Sequence, residues 1–373
     1  MSCRILTTHT GSLPRPPELL ALIDNPDRAE SFETAAQTAV DGCIRKQTEI
    51  GLDIVNDGEL AKPSFATYVT DRLTGFAEVP RTRALNLEQL RYPDYYGPSA
   101  PAGEVLVKAC VGPIAWAGDQ PLKRELGRLR AALAGGGLES AFVSAASPGV
   151  VWYYQPNDYY RSHEEYLAAL AAAMRHEYET IVSAGCILQL DCPDLAGGWT
   201  RPEFADRTID DFRRFIELHV EALNAATRNI PPDRMRMHVC WGNIEGPHVR
   251  DIPLAAILDI LLSARPAGLS IEGANPRHEH EWKVFQNVAL PEGKYLIPGV
   301  IDSTTNYVEH PELVAERIER YASVVGPERV VAGVDCGFAT LAKASPMVHP
   351  TIVWEKLQTL VEGARIASAI LDS

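Results

Sequence analysis

No stretch of about 18 consecutive apolar residues occurs in the 373-residue chain, so no membrane-spanning helix is expected. A basic surface is missing as well. Against 49 Asp and Glu stand 35 Lys and Arg, a net charge of −14, which argues against a nucleic-acid backbone as partner. The N-terminus, MSCRILTTHTGSLPRP, carries no apolar core or cleavage signal for export. Cysteine is sparse: Cys3, Cys43, Cys110, Cys186, Cys192, Cys240 and Cys336 are odd in number and lack framework spacing. That pattern suits a reducing cytoplasm, where a cysteine is buried, catalytic or metal-bound rather than bridged. There is no internal repeat and no low-complexity linker. No GxGxxG follows a strand and opens a helix, which weighs against a dinucleotide site. No GxSxG elbow or Ser–His–Asp order appears, which weighs against a hydrolase.

What is present is alternation. Short apolar runs recur: ILTTHTGS, GLDIVNDGE, VLVKACVGPIA, SAFVSAASPG, CILQLDCPD, MRMHVCWG, GLSIEGA, YLIPGVID and RVVAGVDCG. Between them lie amphipathic segments such as SHEEYLAALAAAMRHEYETIVSAG and TIDDFRRFIELHVEALNAATR, with apolar residues three and four apart. Ser162 followed by Glu165 predicts a capped helix start, and Gly185 its stop. Strand–helix alternation predicts a parallel sheet, either a barrel or doubly wound. The runs outnumber the strands of an eightfold barrel by one, so one of them is surplus. The Pro- and Tyr-rich segment from Val79 to Ala102 shows neither period and reads as an excursion between the second and third strands.

Most of these runs end in a residue able to do chemistry: Glu59, Asp191 and Cys192, His238 and Cys240, Glu272, Asp302, Cys336. In a parallel barrel the C-terminal strand ends share one rim, where active sites sit. In MRMHVCWGNIEGPH, period-two geometry points His238 and Cys240 to one side. With Glu272 and Cys336 they offer one imidazole, two thiolates and a carboxylate, a set zinc accepts in four-coordinate geometry and magnesium or calcium do not favour. The plain alternative is a pair of buried core cysteines. His278, Glu279 and His280 read as a polar loop supporting the rim. His9 either reaches the rim or is satisfied by backbone.

The motifs TTHTGSLPRP, DGE at 57–59, QLDCPDL, HVCWGN, SIEGAN, PGVID and GVDCG, in this order, resemble the catalytic C-terminal barrel of cobalamin-independent methionine synthase. The resemblance covers most of the chain. It implies a TIM (β/α)8 barrel of the kind shared with uroporphyrinogen decarboxylase, taken here as a single domain over 1–373 with an excursion near 79–102. It implies zinc as cofactor, with His238, Cys240, Glu272 and Cys336 as ligands. It implies a zinc-activated substrate thiol, homocysteine or a similar one, that takes a methyl group from a small-molecule donor. Gly11, Ser12, Glu59 and Asp191 would hold the amino-acid part of that thiol. Glu59 and Asp191 also suit an ammonium on charge grounds. The sequence departs from the family in three ways. It has about half the length of the two-domain enzyme, and the half that helps bind polyglutamyl folate is not in it. Cys192 stands where the family has glutamate, and Thr304 stands near a histidine thought to act as general acid.

Three rival functions follow. One is epoxide opening by a coenzyme M-type thiol, for which Arg15, Lys62 and Arg72 are the candidate sulfonate partners. Another is a non-catalytic, zinc-stabilised binding protein. The third, a decarboxylase of the uroporphyrinogen type, leaves the metal-type strand ends unexplained. A cytoplasmic enzyme is expected, with a thiol and an alkyl donor as its partners, and neither membrane nor nucleic acid. The thiol, the donor and the oligomeric state are not readable from sequence.

Overall fold

The computed structural model describes residues 4–23, 29–82, 84–97, 103–133, 137 and 140–372 of a mixed α/β protein. Its strands are β1 (Leu6–Thr7), β2 (Phe76–Thr82), β3 (Glu104–Cys110), β4 (Phe142–Ala146), β5 (Ile187–Asp191), β6 (Met235–Val239), β7 (Gly268–Ile271), β8 (Tyr295–Pro298) and β9 (Val331–Ala332). β4 to β8 form one parallel sheet in chain order. β1 pairs in parallel with β9, Leu6 opposite Val331. Isolated parallel bridges join Thr8 to Ile54, Val55 to Ala141, Leu296 to Val330 and Gly299 to Gly333. β4, β6 and β7 are buried along their whole length, which explains why their runs are continuously apolar rather than alternating.

Two strand expectations need correction. GLDIVNDGE contributes bridges only at Ile54 and Val55, outside any named strand. The surplus run is VLVKACVGPIA, whose β3 pairs antiparallel with β2. Sequence reading missed β2 because most of its residues are exposed, which removes the apolar alternation, and because Pro80 interrupts it. Within 79–102 the structure adds helices Leu87–Arg91 and Pro93–Tyr96, while 83 and 98–102 lie outside the described residues.

The helices follow their sequence signals. Helix His163–Ser183 starts at Ser162, whose side chain accepts from the Glu165 N–H at 3.2 Å. The Glu165 carboxylate takes the Arg161 N–H instead of completing a reciprocal box. Past the helix end, Gly185 adopts φ +100°, a conformation that favours glycine. Helix Ile209–Ala226 has a full capping box between Thr208 and Asp211, and buries Phe212, Ile216, Val220 and Leu223 on one face. Among the described residues no helix is long and apolar enough to cross a membrane.

A buried charge cluster ties helices Gln120–Ala132 and His163–Ser183 to the loop after Glu59. Lys62 pairs with Glu125 at 2.9 Å, and Arg72 pairs with both Glu125 and Glu177. Tyr68 lies beneath the two cations, 4.7 Å from Lys62 and 4.5 Å from Arg72, and donates its hydroxyl to Glu177 at 3.0 Å. Lys62 also donates to the Ser144 carbonyl at 2.6 Å. Each buried charge therefore has a partner, the condition under which burial is tolerable.

Candidate metal centre and substrate cavity

Strand register sets up the centre. Asp191 on β5 lies opposite His238 on β6, and His238 lies opposite Ser270 on β7. His238, Cys240 and Cys336 come together with their ligand atoms all within 4.8 Å of one another, and all three side chains are buried. Burial, reinforced by the nearby Arg236 charge, pushes the His238 imidazole down to about 3, so the ring is neutral. Its Nδ1 lies 3.2 Å from Ser270 Oγ. Its Nε2 is buried with no hydrogen-bond partner, the state of a nitrogen kept free to ligate. The Cys240 thiol is held well above its ordinary value, first by its hydrogen bond with Cys336 and then by burial.

Glu272 stands apart from this trio. Its Oε1 accepts from the Trp241 N–H at 2.7 Å and its Oε2 from Asn275 Nδ2 at 2.7 Å. Burial and then the Asp335 charge raise its carboxyl to about 7, against the favourable field of His278. Asp335 accepts from the N–H groups of Gly273, Ala274 and Asn275, each at 2.8 Å, and so fixes the loop that follows Glu272. Sequence reading used only Cys336 from GVDCG. The carboxylate beside it was the available signal for this anchor.

In the loop after β7, His278 is buried and His280 exposed, so the two do not share a face. His278 bonds Glu281 at 2.8 Å and Asp251 at 2.9 Å, and stacks on Trp241 with ring centroids 4.2 Å apart. It supports the Trp241 segment that contacts Glu272. His248, Asp251 and His278 also come within ligating distance of one another, but each ring nitrogen is already hydrogen-bonded.

The trio lies on the wall of a cavity of about 310 Å³, which Ser12, Glu59 and Asp191 also line. Glu59 has a left-handed backbone at φ +53°, held by its N–H bond to Asp57 Oδ1 at 2.9 Å. Such strain in a non-glycine residue clusters at functional sites. Its Oε2 is buried without a partner. Burial raises the Glu59 carboxyl against the pull of Lys62, and burial followed by the Glu59 charge raises that of Asp191. Two carboxyls thus share the cavity, and among the described residues no Lys or Arg lines it. Arg15 donates to four backbone carbonyls, while Lys62 and Arg72 are held in the buried cluster. The three candidate sulfonate partners are therefore committed elsewhere.

Gly11 lines no part of the cavity but adjoins it. At φ +143°, a Cβ there would stand 2.2 Å from Glu59 Oε1 and 2.8 Å from Ser144 Oγ. Gly11→Ala is expected to displace Glu59 and weaken the hold of its carboxylate on a cationic group in the cavity by about tenfold or more, the worth of one charge-assisted contact. Calorimetric titration of the variant and the parent with a small ammonium compound checks this.

Other expected rim residues do not arrive. Cys192 is buried, with its thiol directed to the Leu190 carbonyl. Asp302 takes the hydroxyls of Thr304 at 2.8 Å and Thr305 at 2.6 Å. His9 Nε2 bonds Gln47 at 2.9 Å and its Nδ1 accepts the Gly11 N–H at 3.2 Å.

Comparison with known proteins agrees with this picture. The chain is 23% identical over 365 residues to a methionine synthase of Thermococcus kodakarensis, covering 96% of this chain and 92% of that protein. It is 24% identical over 371 residues to a methionine synthase of Saccharolobus solfataricus, with 96% and 94% covered. Among solved structures, the fold is similar to a B12-independent methionine synthase of Shewanella sp. W3-18-1 in complex with selenomethionine. That comparison has a TM-score of 0.75 at 19% identity, with 99% of both chains covered. A putative vitamin-B12-independent methionine synthase of Listeria monocytogenes has a TM-score of 0.68 at 20% identity, with 98% of both chains covered. The profile of the cobalamin-independent synthase catalytic domain matches residues 150–349, more than half the chain and the part that carries Asp191, His238, Cys240, Glu272 and Cys336, and the chain belongs to that family.

Proposed function

We propose that this chain is a zinc-dependent transferase that methylates a thiol, with homocysteine as acceptor. The observation that carries the reading is the buried trio of His238, Cys240 and Cys336, with its free His238 Nε2, on the wall of a cavity lined by two carboxylates and, among the described residues, no Lys or Arg. Similarity to methionine synthases over nearly the whole chain supports the acceptor. The eight parallel segments and their bridges support a closed (β/α)8 barrel, and we read 1–373 as one such domain. The six free cysteines among the described residues fit a cytoplasmic protein.

His238, Cys240 and Cys336 would hold the zinc, with Glu272 completing an N, S, S, O set. Zinc bound there would lower the pKa of a substrate thiol and so supply a thiolate at neutral pH. The chain's own residues do the rest. Glu59 and Asp191 bind the substrate ammonium and orient the thiol towards the trio. Ser12 presents its hydroxyl to the same cavity. Tyr153, Tyr154, Phe65 and Trp241 form apolar walls that keep water out. The carboxylate lining favours an amino-acid thiol over a sulfonate thiol, which would need cations.

Zinc-loaded protein incubated with homocysteine and a methyl donor should form methionine, detected by mass spectrometry. Absence of both product and homocysteine binding would overturn the reading. The donor can be narrowed. Thr304 has its hydroxyl engaged by Asp302, His9 is neutral and hydrogen-bonded, and the exposed His310 caps helix Pro311–Val325. None of the three lines the cavity. A tertiary amine leaves poorly unless protonated, and general acid catalysis contributes about 10²–10⁴-fold. Methylfolate is therefore expected to be a slower donor than methylcobalamin with the same thiol. A kcat/KM for methylfolate above about 10⁴ M⁻¹s⁻¹ would contradict this.

A further inference from the structure

Arg236 heads the largest fully buried side chains of the protein. Among the described residues no carboxylate pairs with it. Its guanidinium lies over the Phe142 ring, 3.6 Å from the centroid, and donates only to neutral oxygens. These are Gln189 Oε1 at 2.8 Å, Thr8 Oγ1 at 2.9 Å and the His9 carbonyl at 2.9 Å. A buried charge without a paired anion is costly, and an apolar side chain would fill the same space more favourably. The role of Arg236 therefore lies in what those bonds arrange.

They arrange Gln189. Arginine has donors and no acceptor, so the Gln189 amide oxygen must face it. The amide nitrogen is thereby turned the other way, where it donates to Asp191 Oδ1 at 2.9 Å and to the Thr10 carbonyl. Asp191 lines the cavity, and among the described residues no donor reaches its second oxygen. Period-two geometry explains the stacking. Gln189 lies opposite Arg236 and Asp191 opposite His238, and each strand advances by two between them, so the Gln189 and Arg236 side chains lie one layer beneath those of Asp191 and His238. Through Thr8, His9 and Thr10 the same two side chains grip the segment that leads into Gly11 and Ser12.

We propose that Gln189 and Arg236 are positioning residues that set the Asp191 carboxylate, and its spacing from the Ser12 segment, to receive the ammonium of an amino-acid thiol. This rests on the reading of Asp191 as an ammonium partner, and the test separates the two. Zinc-loaded protein is titrated calorimetrically with L-homocysteine and with 4-mercaptobutanoate, its counterpart without the amino group. The ratio of the two dissociation constants reports ammonium recognition and is insensitive to a general loss of packing. Gln189→Glu keeps the size and the acceptor for Arg236, but turns the donor facing Asp191 into a repelling oxygen. It should reduce the preference for homocysteine by about tenfold, as expected for loss of a charge-assisted contact, with 4-mercaptobutanoate binding within about twofold of the parent.

Arg236→Lys is the second variant, for use if Gln189→Glu does not fold. It keeps the charge but cannot reach Gln189, Thr8 and His9 together, and should reduce the same ratio. Asp191→Asn tests the underlying reading. If Asp191→Asn reduces the ratio while neither Gln189→Glu nor Arg236→Lys does, the positioning role is wrong and the ammonium site stands. If Asp191→Asn leaves the ratio unchanged, or the parent binds no homocysteine, both fall.

Discussion

Cys336→Ser is expected to lower the zinc content of protein purified without chelator from about one equivalent to below about 0.2, and to abolish thiol methylation with it. Cys336 Sγ is one of three buried ligand atoms within 4.8 Å of one another. A serine hydroxyl there stays protonated at neutral pH and is a poor substitute for a thiolate. The variant would keep His238, Cys240 and the Glu272 carboxylate, a set with one thiolate fewer and correspondingly weaker for zinc. Cys110→Ser is the control. That thiol is buried in the β2–β3 hairpin, directed to the Gly112 carbonyl at 3.4 Å, and its loss should leave the metal in place. Metal analysis by mass spectrometry on both variants, with the assay run in parallel, gives the comparison. Equal zinc in the two variants would remove Cys336 from the ligand set.

Glu125→Ala is expected to destabilise the fold by about 3–5 kcal/mol, the usual result of removing one partner from a buried ion pair. It would leave Lys62 without its carboxylate and Arg72 with Glu177 alone. The midpoint of thermal unfolding should fall by roughly 4–6 °C at the usual scaling for a chain of this length. Calorimetric scans check it, and an unchanged midpoint would mean that the cluster relaxes without cost. The same carboxylate predicts an acid limb. Burial alone would raise it, but the Lys62 and Arg72 charges outweigh burial and hold it at about 2. A carboxyl depressed on folding contributes stability above its unfolded pKa, near 4.3, and that contribution is lost as pH falls towards 2. Between pH 5 and 3 the parent should therefore lose stability more steeply than Glu125→Ala, which lacks this group.

How much of this was legible in the sequence depends on the range of the interaction. Helix starts at Ser162 and Thr208, and the placing of His238 and Cys240 on one side of a strand, follow from spacing within a few residues. So does the family, through ordered motifs. β2 was not legible, because a ribbon exposed on both faces leaves no apolar period to read. The three cations offered for a sulfonate show the same limit. Arg15, Lys62 and Arg72 look alike in sequence, and their commitments run to carbonyls and carboxylates tens to hundreds of residues away.

By itself, then, the sequence determined the alternation of strands and helices, the chemical types gathered at the strand ends, and which of those ends carry imidazole and thiol. Tertiary structure alone decided that Glu272 is turned to the Trp241 N–H and Asn275 under the hold of Asp335. It also decided that Glu59 and Asp191 face one cavity that no Lys or Arg among the described residues lines, and that Arg236 and Gln189 are stacked beneath Asp191. The physical reason is that side-chain period is a property of neighbouring residues, whereas hydrogen-bond partners across the parallel sheet are set by register between strands 27 to 47 residues apart.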